Sequence, residues 1–231
     1  MSVPRFFAAR DAVLTAGARV DLDETERAHV RARRINAGDE VEVLDGRGLV
    51  GLGTLRDDRN TVALLDVSRG HCEPAHAVTV LLAMSEPARV EWALEKGTEC
   101  GAAAFVLYPA ARSQPAAMKA LATRRDRLRK VVAEAVKQCG RSVVPSLNLF
   151  PSLGAAVDGR RDLLLVASPA GENPPSVATR DTALVIGPEG GLTEEEEADL
   201  RRRGALAVSL GPRLLRLETA VVAGLVHLVK S

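Results

Sequence analysis

Two short glycine-bearing segments near the C-terminal end of the sequence combine residue types that can hold a small ligand. Residues 187–191 read GPEGG and residues 211–216 read GPRLLR, and each segment follows an apolar run. Apolar runs of this length are typical of buried strands. Because open α/β folds bind ligands beyond the carboxyl ends of parallel strands, we expect two adjacent ligand-binding loops at one sheet edge.

Five carboxylates around the first segment restrict the ligand. They are Glu189, Glu194, Glu195, Glu196 and Glu197. Phosphate-binding loops use bare N–H groups at a helix start, and here a polyphosphate would meet like-charge repulsion. The sequence also contains neither a P-loop motif nor a dinucleotide fingerprint after a strand. A neutral or cationic ligand therefore fits this loop better than ATP or NAD.

The acidic run also has a purely structural interpretation. Thr193 and Glu196 have the spacing of a capping box, and the glutamates and Arg201, Arg202 and Arg203 complement the two ends of a helix dipole. A solvated, well-capped helix explains these charges without a ligand.

The second segment carries two arginines around a leucine pair. Arg213 and Arg216 flank Leu214 and Leu215, and Glu218 follows. Guanidinium groups beside a ligand loop favour binding of phosphate or of a base carbonyl. The alternative is that Arg216 and Glu218 form an ordinary surface ion pair.

Composition sets broad limits on the fold and its partners. The chain has 231 residues, 46% of them hydrophobic, and a net charge of +1. This allows one large or two small domains, and it provides no global field that attracts nucleic acid. The three cysteines lack the spacing of a zinc site or a disulfide framework, so we expect no metal and a reducing cytoplasm. No signal peptide is expected in residues 1–10, and no apolar run reaches the roughly 20 residues of a membrane helix.

The N-terminal part reads mostly as β-structure. A short helix is expected within residues 21–34, with Asp23 as its N-cap, and alternating residues 40–44 predict a half-buried strand followed by a hairpin. Further short strands at residues 49–55 and 61–67 indicate a small barrel. The arginines here suggest either an RNA-contacting face or a solvated helix face, and charge alone does not decide between them.

The C-terminal part alternates strands with helices, beyond a linker at residues 69–77. We expect five strands of an open parallel α/β sheet, at residues 78–84, 103–108, 163–167, 183–186 and 205–210. The third strand is expected to end at Ser168 and Pro169. Ser85 is expected to cap a helix, and residues 117–139 are expected to form one long helix that stops at Gly140.

Several motifs together resemble one family. IGPEGGL at residues 186–192, LGPRLLR at 210–216 and ETA at 218–220 are similar to the C-terminal signature of the RsmE family, which belongs to the SPOUT class of knotted methyltransferases. The resemblance extends upstream through EKGTECG at residues 95–101 and QCGR at 138–141, and covers nearly the whole chain.

The resemblance implies a fold, an activity and partners. It implies a PUA-like RNA-binding β-barrel over residues 1–70 and a SPOUT parallel-sheet domain with a C-terminal trefoil knot over residues 75–231. The implied activity is methylation of N3 of a uridine in 16S ribosomal RNA of the small subunit, with S-adenosyl-L-methionine as cofactor. This cofactor is a phosphate-free sulfonium cation, in agreement with the acidic loop. A cytoplasmic homodimer is implied too, and the last helix is apolar nearly all round, so something must cover it.

The implied reaction suggests roles for particular residues. Arg216 or Arg213 is expected beside the uracil, with Glu218 orienting Arg216 or accepting a proton, and the identity of the catalytic base stays open. The expected cofactor-binding residues are Ala167, Ser168, Pro169, Ile186, Gly187, Glu189, Gly190, Gly191, Leu210, Gly211, Leu214, Leu215 and Arg216. The expected RNA-binding residues are Arg31, Arg33, Arg34, Arg112 and Arg141.

The sequence departs from the family pattern in three places, and two other functions compete. Ser85 and Glu86 replace a usual cation, Lys137 replaces a glutamate, and Leu217 replaces a threonine. A non-enzymatic rRNA-binding or ribosome assembly factor would bind no cofactor. A Rossmann-type nucleotide enzyme would bind ATP or NAD, and the missing fingerprint disfavours it.

Overall fold

The chain divides into two compact units. The computed structural model describes residues 3–70, 72–173 and 180–229. The first unit comprises Met1–Glu73 and Val136–Val144, and the second comprises Pro74–Ala135 and Pro145–Ser231. In the described residues no helix is both long and apolar enough to cross a membrane.

A curled five-stranded sheet forms the first unit. Its elements are β1 (Arg5–Phe7), β2 (Arg19–Asp21), α1 (Glu24–Ala32), β3 (Glu40–Leu44), β4 (Leu49–Leu55) and β5 (Thr61–Arg69). The strand order is β1-β3-β4-β5-β2, and only the β1–β3 pair is parallel. An antiparallel bridge between Ala8 and Leu22 joins the ends of the two edge strands, so the sheet curls around its apolar core.

Local sequence explains these elements. The Asp23 side chain accepts a hydrogen bond from the Thr25 N–H at 2.9 Å and caps α1, as predicted. The predicted hairpin joins β3 and β4, and the Asp45 side chain accepts from the N–H groups of Arg47 and Leu49. Strand β3 alternates between exposed and buried residues in its first half, as a half-buried strand does.

Residues 136–144 complete the first unit through charged contacts. Lys137 Nζ donates to Glu26 Oε1 at 2.7 Å, and both side chains are buried. Glu73 accepts from the Arg141 guanidinium at 2.7 Å and from the N–H groups of Ser142 and Val143. Burial of Glu73 acts to raise its pKa, but these hydrogen bonds prevail and hold that pKa below its usual range.

A six-stranded parallel sheet forms the second unit. Its strands are β6 (Val78–Ala83), β7 (Ala104–Tyr108), β8 (Ser146–Leu149), β9 (Leu163–Glu172), β10 (Thr182–Ile186) and β11 (Leu206–Val208). The helices are α2 (Pro87–Glu99), α3 (Pro115–Thr123), α4 (Arg125–Cys139), α5 (Leu153–Val157), α6 (Glu194–Arg202) and α7 (Leu217–Leu228). The strand order is β11-β9-β10-β6-β7-β8, and every pairing is parallel.

The sheet differs from the expectation in two strands. Strand β8 was not predicted, so the described sheet has six strands rather than five. Strand β9 continues through Ser168 and Pro169 to Glu172, so the expected end at those residues is wrong. The pairing of β9 with β10 stops at Val166, and beyond it β9 pairs with β11 alone. Proline is tolerated where one side of a strand is unpaired.

Two helix predictions also need correction. The expected single helix over residues 117–139 is interrupted at Arg124, which ends α3 before α4 begins. Ser85 does not cap α2, because Glu86 occupies the N-cap position and makes no side-chain cap bond. The Ser85 hydroxyl instead donates to Glu189 Oε1.

Candidate active site

Three predicted cofactor-binding segments end at one edge of the parallel sheet. Strands β9, β10 and β11 are parallel, and β9 lies between the other two. The carboxyl ends of β10 and β11 therefore bring residues 187–191 and 210–216 to the same edge, and residues 167–169 of β9 lie beside them, just beyond the last β9–β10 pair at Val166. Because neighbouring strands lie about 4.8 Å apart, the two glycine-bearing segments are separated by the width of β9.

The first glycine loop, residues 187–193, is anchored where it leaves β10. The Tyr108 hydroxyl donates to the carbonyl of Ile186, the last residue of β10, at 3.0 Å. Tyr108 is fully buried. Burial, with a smaller contribution from Glu196, raises the pKa of Tyr108 well above its usual range. Its hydroxyl therefore stays protonated and remains a donor to the loop.

Arg112 holds the same loop from outside. Its Nη1 donates to the carbonyl of Gly190 at 2.7 Å and to that of Leu192 at 3.2 Å. Gly191 has φ +72°, a conformation that favours glycine. A Cβ added at Gly190 would lie 3.4 Å from Arg112 Cδ. The Gly191 N–H also donates to the Pro188 carbonyl at 2.8 Å, so the loop has a fixed shape.

The capping box that follows the loop is confirmed. The Thr193 hydroxyl accepts from the Glu196 N–H at 3.2 Å, and Glu196 Oε2 accepts from the Thr193 N–H at 2.9 Å. The other oxygen, Glu196 Oε1, accepts from the N–H of Ala111 at 2.8 Å. The Glu196 carboxylate therefore both caps the N-terminus of α6 and hydrogen-bonds the segment that carries Arg112.

Carboxylates from two loops converge on an arginine that sequence reasoning missed. Arg89 Nε lies 3.2 Å from Glu86 and 3.9 Å from Glu189, and its Nη1 lies 3.8 Å from Glu218 Oε2. A hydrogen bond to Glu86 is the main cause that raises the pKa of Arg89. The available signal was an arginine in the first turn of α2, where a cation opposes the helix dipole.

The second glycine loop, residues 209–216, has few internal contacts. The Ser209 hydroxyl donates to the Gly211 carbonyl at 3.2 Å, and Gly211 has φ +119°. Arg213, Leu214 and Arg216 are exposed, and Leu214 is 85% exposed. This loop presents its side chains to solvent.

The alternative that Arg216 pairs with Glu218 is not seen. Within residues 3–70, 72–173 and 180–229, neither Arg213 nor Arg216 forms an ion pair, while Glu218 lies beside Arg89. The backbone carbonyl of Arg216 accepts from the Ala220 N–H at 2.8 Å at the start of α7. Both guanidinium groups are therefore available to a ligand.

The five predicted RNA-binding arginines fall into three groups. Arg31, Arg33 and Arg34 are exposed at the end of α1. Arg112 is exposed, but its guanidinium holds the first glycine loop. Arg141 is 3% exposed, and its guanidinium is engaged by Glu73, which leaves it no open face for RNA.

The site suits a cation better than a polyphosphate. Glu189 and Glu218 border it, and Glu218 Oε2 is buried without a hydrogen-bond partner in the described part of the chain. Buried carboxylate oxygens favour a positively charged or hydrogen-bond-donating ligand. S-adenosyl-L-methionine fits, because it carries a sulfonium and an ammonium group and no phosphate.

The fold and this edge define an α/β protein with a ligand site built on glycine turns rather than on a phosphate loop. Residues 72–229 match a family model described as an RNA methyltransferase domain. The chain belongs to this family of RNA methyltransferases.

Named relatives and solved structures agree with this membership. The chain is 31% identical to ribosomal RNA small subunit methyltransferase E of Mycobacterium tuberculosis, over 93% of this chain and 87% of the relative. It is 28% identical to the protein of that name from Bacillus subtilis, over 83% and 81%. A Neisseria gonorrhoeae methyltransferase of that name, bound to S-adenosyl methionine, superposes with TM-score 0.85 at 27% identity over 97% of this chain and 95% of that chain.

A second solved structure shows the same likeness. A methyltransferase of Legionella pneumophila in complex with its cofactor SAM superposes with TM-score 0.85 at 26% identity, over 97% of this chain and 96% of that chain. The likeness therefore spans both units of the fold in each comparison.

Proposed function

We propose that this protein transfers the methyl group of S-adenosyl-L-methionine to N3 of a uridine in 16S ribosomal RNA. The observation that carries the proposal is a glycine loop bordered by carboxylates, with two exposed arginines on the second glycine loop across β9. Family membership and the relatives' names, which specify ribosomal RNA of the small subunit, support the same substrate.

The chain's own groups suffice to hold the cofactor. Backbone groups of residues 167–169, 187–191 and 210–216 lie at the sheet edge, and the half-buried Leu210 and Leu215 offer apolar surface there, whereas Ile186 is buried. When bound, S-adenosyl-L-methionine supplies an electrophilic methyl group on a positively charged sulfur. Glu189 and Glu218 favour that positive charge.

Uridine N3 must lose its proton before it can accept a methyl group. The negative charge then spreads to O2 and O4, and a guanidinium placed there stabilises it. Arg216 or Arg213 is suited to this role, because both are exposed and unpaired among the described residues. Glu218 lies beside Arg89 rather than Arg216, which favours Glu218 as proton acceptor over Glu218 as the group that orients Arg216.

The first unit supplies the RNA-binding part of the proposal. Exposed Arg31, Arg33 and Arg34 can neutralise phosphates. The curled sheet, with its Ala8–Leu22 bridge, supports a PUA-like barrel, and the strand order around β9 supports a knotted C-terminal region. A cytoplasmic location follows from the ribosomal substrate.

We also propose a homodimer through α7 and α2. Val226 on α7 is 64% exposed and Trp92 on α2 is 43% exposed. The opposite face of α7 is already covered, because Gly224 lies against Leu184 and Val221 approaches Gly97. Sedimentation at micromolar concentration tests this, and a monomer alone contradicts it.

Nucleoside mass spectrometry of ribosomal RNA tests the main proposal. RNA from a deletion strain should lack one N3-methyluridine in 16S RNA, and the purified protein with S-adenosyl-L-methionine should restore it. Retention of every N3-methyluridine in the deletion strain contradicts the proposed substrate.

A further inference from the structure

Arg89 is placed between carboxylates that belong to different parts of the site. Glu189 lies in the first glycine loop, and Glu218 follows the second glycine loop at the start of α7. Arg89 Nε is 3.9 Å from Glu189 Oε1, and Arg89 Nη1 is 3.8 Å from Glu218 Oε2. The Arg89 side chain is 30% exposed, so water screens these interactions only in part.

The two carboxylates depend on Arg89 to different extents. Glu189 also accepts a hydrogen bond from the Ser85 hydroxyl. Glu218 is only 16% exposed, and its Oε2 atom is buried and has no hydrogen-bond partner in the described ranges. A carboxylate removed from water needs a compensating charge, and in those ranges Arg89 is the cation within 4.0 Å of Glu218.

We infer that Arg89 is a positioning residue for methyl transfer, which joins the two glycine loops through Glu189 and Glu218 and holds the Glu218 carboxylate in place. The inference rests on the proposed function. It adds a residue that neither the loop motifs nor the family likeness assigns.

The geometry indicates that charge is the main property of Arg89 at this point. Distances of 3.8 Å and 3.9 Å are too long for direct hydrogen bonds, but two unlike charges attract each other at that range. A lysine should therefore replace Arg89 better than an uncharged residue of similar length. This distinguishes a positioning charge from a side chain that merely fills space.

Arg89→Gln, Arg89→Lys and the control Arg127→Gln provide the first test. Arg127 forms an exposed two-bond pair with Glu91, at 2.7 Å for each bond, away from the loops. With 16S RNA from the deletion strain, Arg89→Gln should lower kcat about 30-fold while KM for S-adenosyl-L-methionine changes less than about 3-fold, because a misplaced catalytic group costs rate more than binding. Arg89→Lys should recover most of kcat, and Arg127→Gln should resemble the wild type.

A double variant tests whether Arg89 acts through Glu218. If it does, adding Arg89→Gln to Glu218→Gln should lower kcat no further than Glu218→Gln alone, because residues that act as one unit are not additive. Thermal unfolding of each variant is measured in parallel. A kcat that falls only in proportion to lost folded protein overturns the inference.

The wild-type measurement separates the two proposals. The same assay is run on small ribosomal subunits from the deletion strain, and a wild-type protein that is inactive on both the RNA and the subunits overturns the proposed function. If the wild type is active, three results overturn only the role of Arg89. These are an unchanged kcat for Arg89→Gln, a kcat for Arg89→Lys no higher than that for Arg89→Gln, and fully additive losses in the double variant.

Discussion

The two glycine loops lie at the same sheet edge but are fixed to very different degrees. The first glycine loop is held by contacts from Tyr108 at Ile186, from Arg112 at Gly190 and Leu192, and from Ser85 at Glu189. The second has the short Ser209–Gly211 contacts and then exposes its arginines and Leu214. The first loop is therefore preorganised for a ligand, whereas the second has exposed side chains that a bound ligand can order.

We expect this difference between the loops to correspond to two tasks, cofactor binding and RNA recognition. A cofactor of fixed shape gains from a preformed loop, because less freedom is lost on binding. A large RNA substrate must approach and leave, and exposed arginines can close on it after contact. Variants in the first loop should therefore alter cofactor affinity. Side-chain variants at the exposed positions of the second loop, whose backbone is proposed to contact the cofactor, should mainly alter rate and RNA affinity.

The largest effect is expected for Gly190→Trp. An indole in the preformed loop should reduce affinity for S-adenosyl-L-methionine by about 100-fold or more, equivalent to about 2.7 kcal/mol. Gly190→Ala is the matched control, because its Cβ would meet Arg112 Cδ at an ordinary 3.4 Å. If calorimetry finds undiminished binding of S-adenosyl-L-methionine by the Trp variant, the first glycine loop is not part of the cofactor site.

The next largest effect is expected for Arg216→Ala. Loss of one donor to a developing negative charge lowers kcat by about 100-fold, while cofactor affinity should stay nearly constant because the first loop is intact. Arg202→Ala, which removes an exposed pair with Asp199, should leave kcat unchanged. A weaker cofactor affinity with normal kcat would show that the two loops do not divide the work in this way.

A smaller effect is expected for Arg112→Gln. The change removes the guanidinium bonds to Gly190 and Leu192, and it should weaken cofactor binding about 10-fold and stability by about 1 kcal/mol or less, since the side chain is exposed. Titration calorimetry and urea unfolding measure the two quantities. Arg125→Gln, at an exposed arginine of α4, serves as control, and equal behaviour of the two variants contradicts a holding role for Arg112.

The smallest effect is expected for Leu214→Ser. Leu214 is 85% exposed, so the free energy of unfolding should change by less than about 0.5 kcal/mol. KM for RNA should rise a few-fold at constant cofactor affinity if this side chain contacts the substrate. A marked loss of stability would mean that the second loop is more firmly packed than its exposure indicates.

Sequence predicted the parts of the site that depend on local pattern. The capping box of Thr193 and Glu196 is confirmed, because it involves residues one helical turn apart. Glycines at positive φ follow β10 and β11, as the turn sequences indicated. The assignments of individual cofactor-binding and catalytic residues stay predictions.

Long-range pairing accounts for what sequence did not predict. Strand β9 continues past Pro169 because β11 pairs with it, and no local pattern encodes that partner. The proximity of Arg89 to Glu189 and Glu218 could not be predicted from sequence, because these residues are far from Arg89 along the chain. The Arg141–Glu73 contact joins residues that are 68 positions apart, and the grouping of residues 136–144 with the first unit arises from such contacts.

The shared carboxylate of Glu196 has a consequence for motion. Its oxygens accept hydrogen bonds from the backbone N–H groups of Thr193 and Ala111. If the Glu196 side chain changes rotamer, the start of α6 and the Arg112 segment therefore lose these hydrogen bonds together. Segments coupled in this manner open as one cooperative element. Amide protons of Ala111 and Thr193 should then exchange with solvent deuterium at matching rates, and cofactor addition should slow both together.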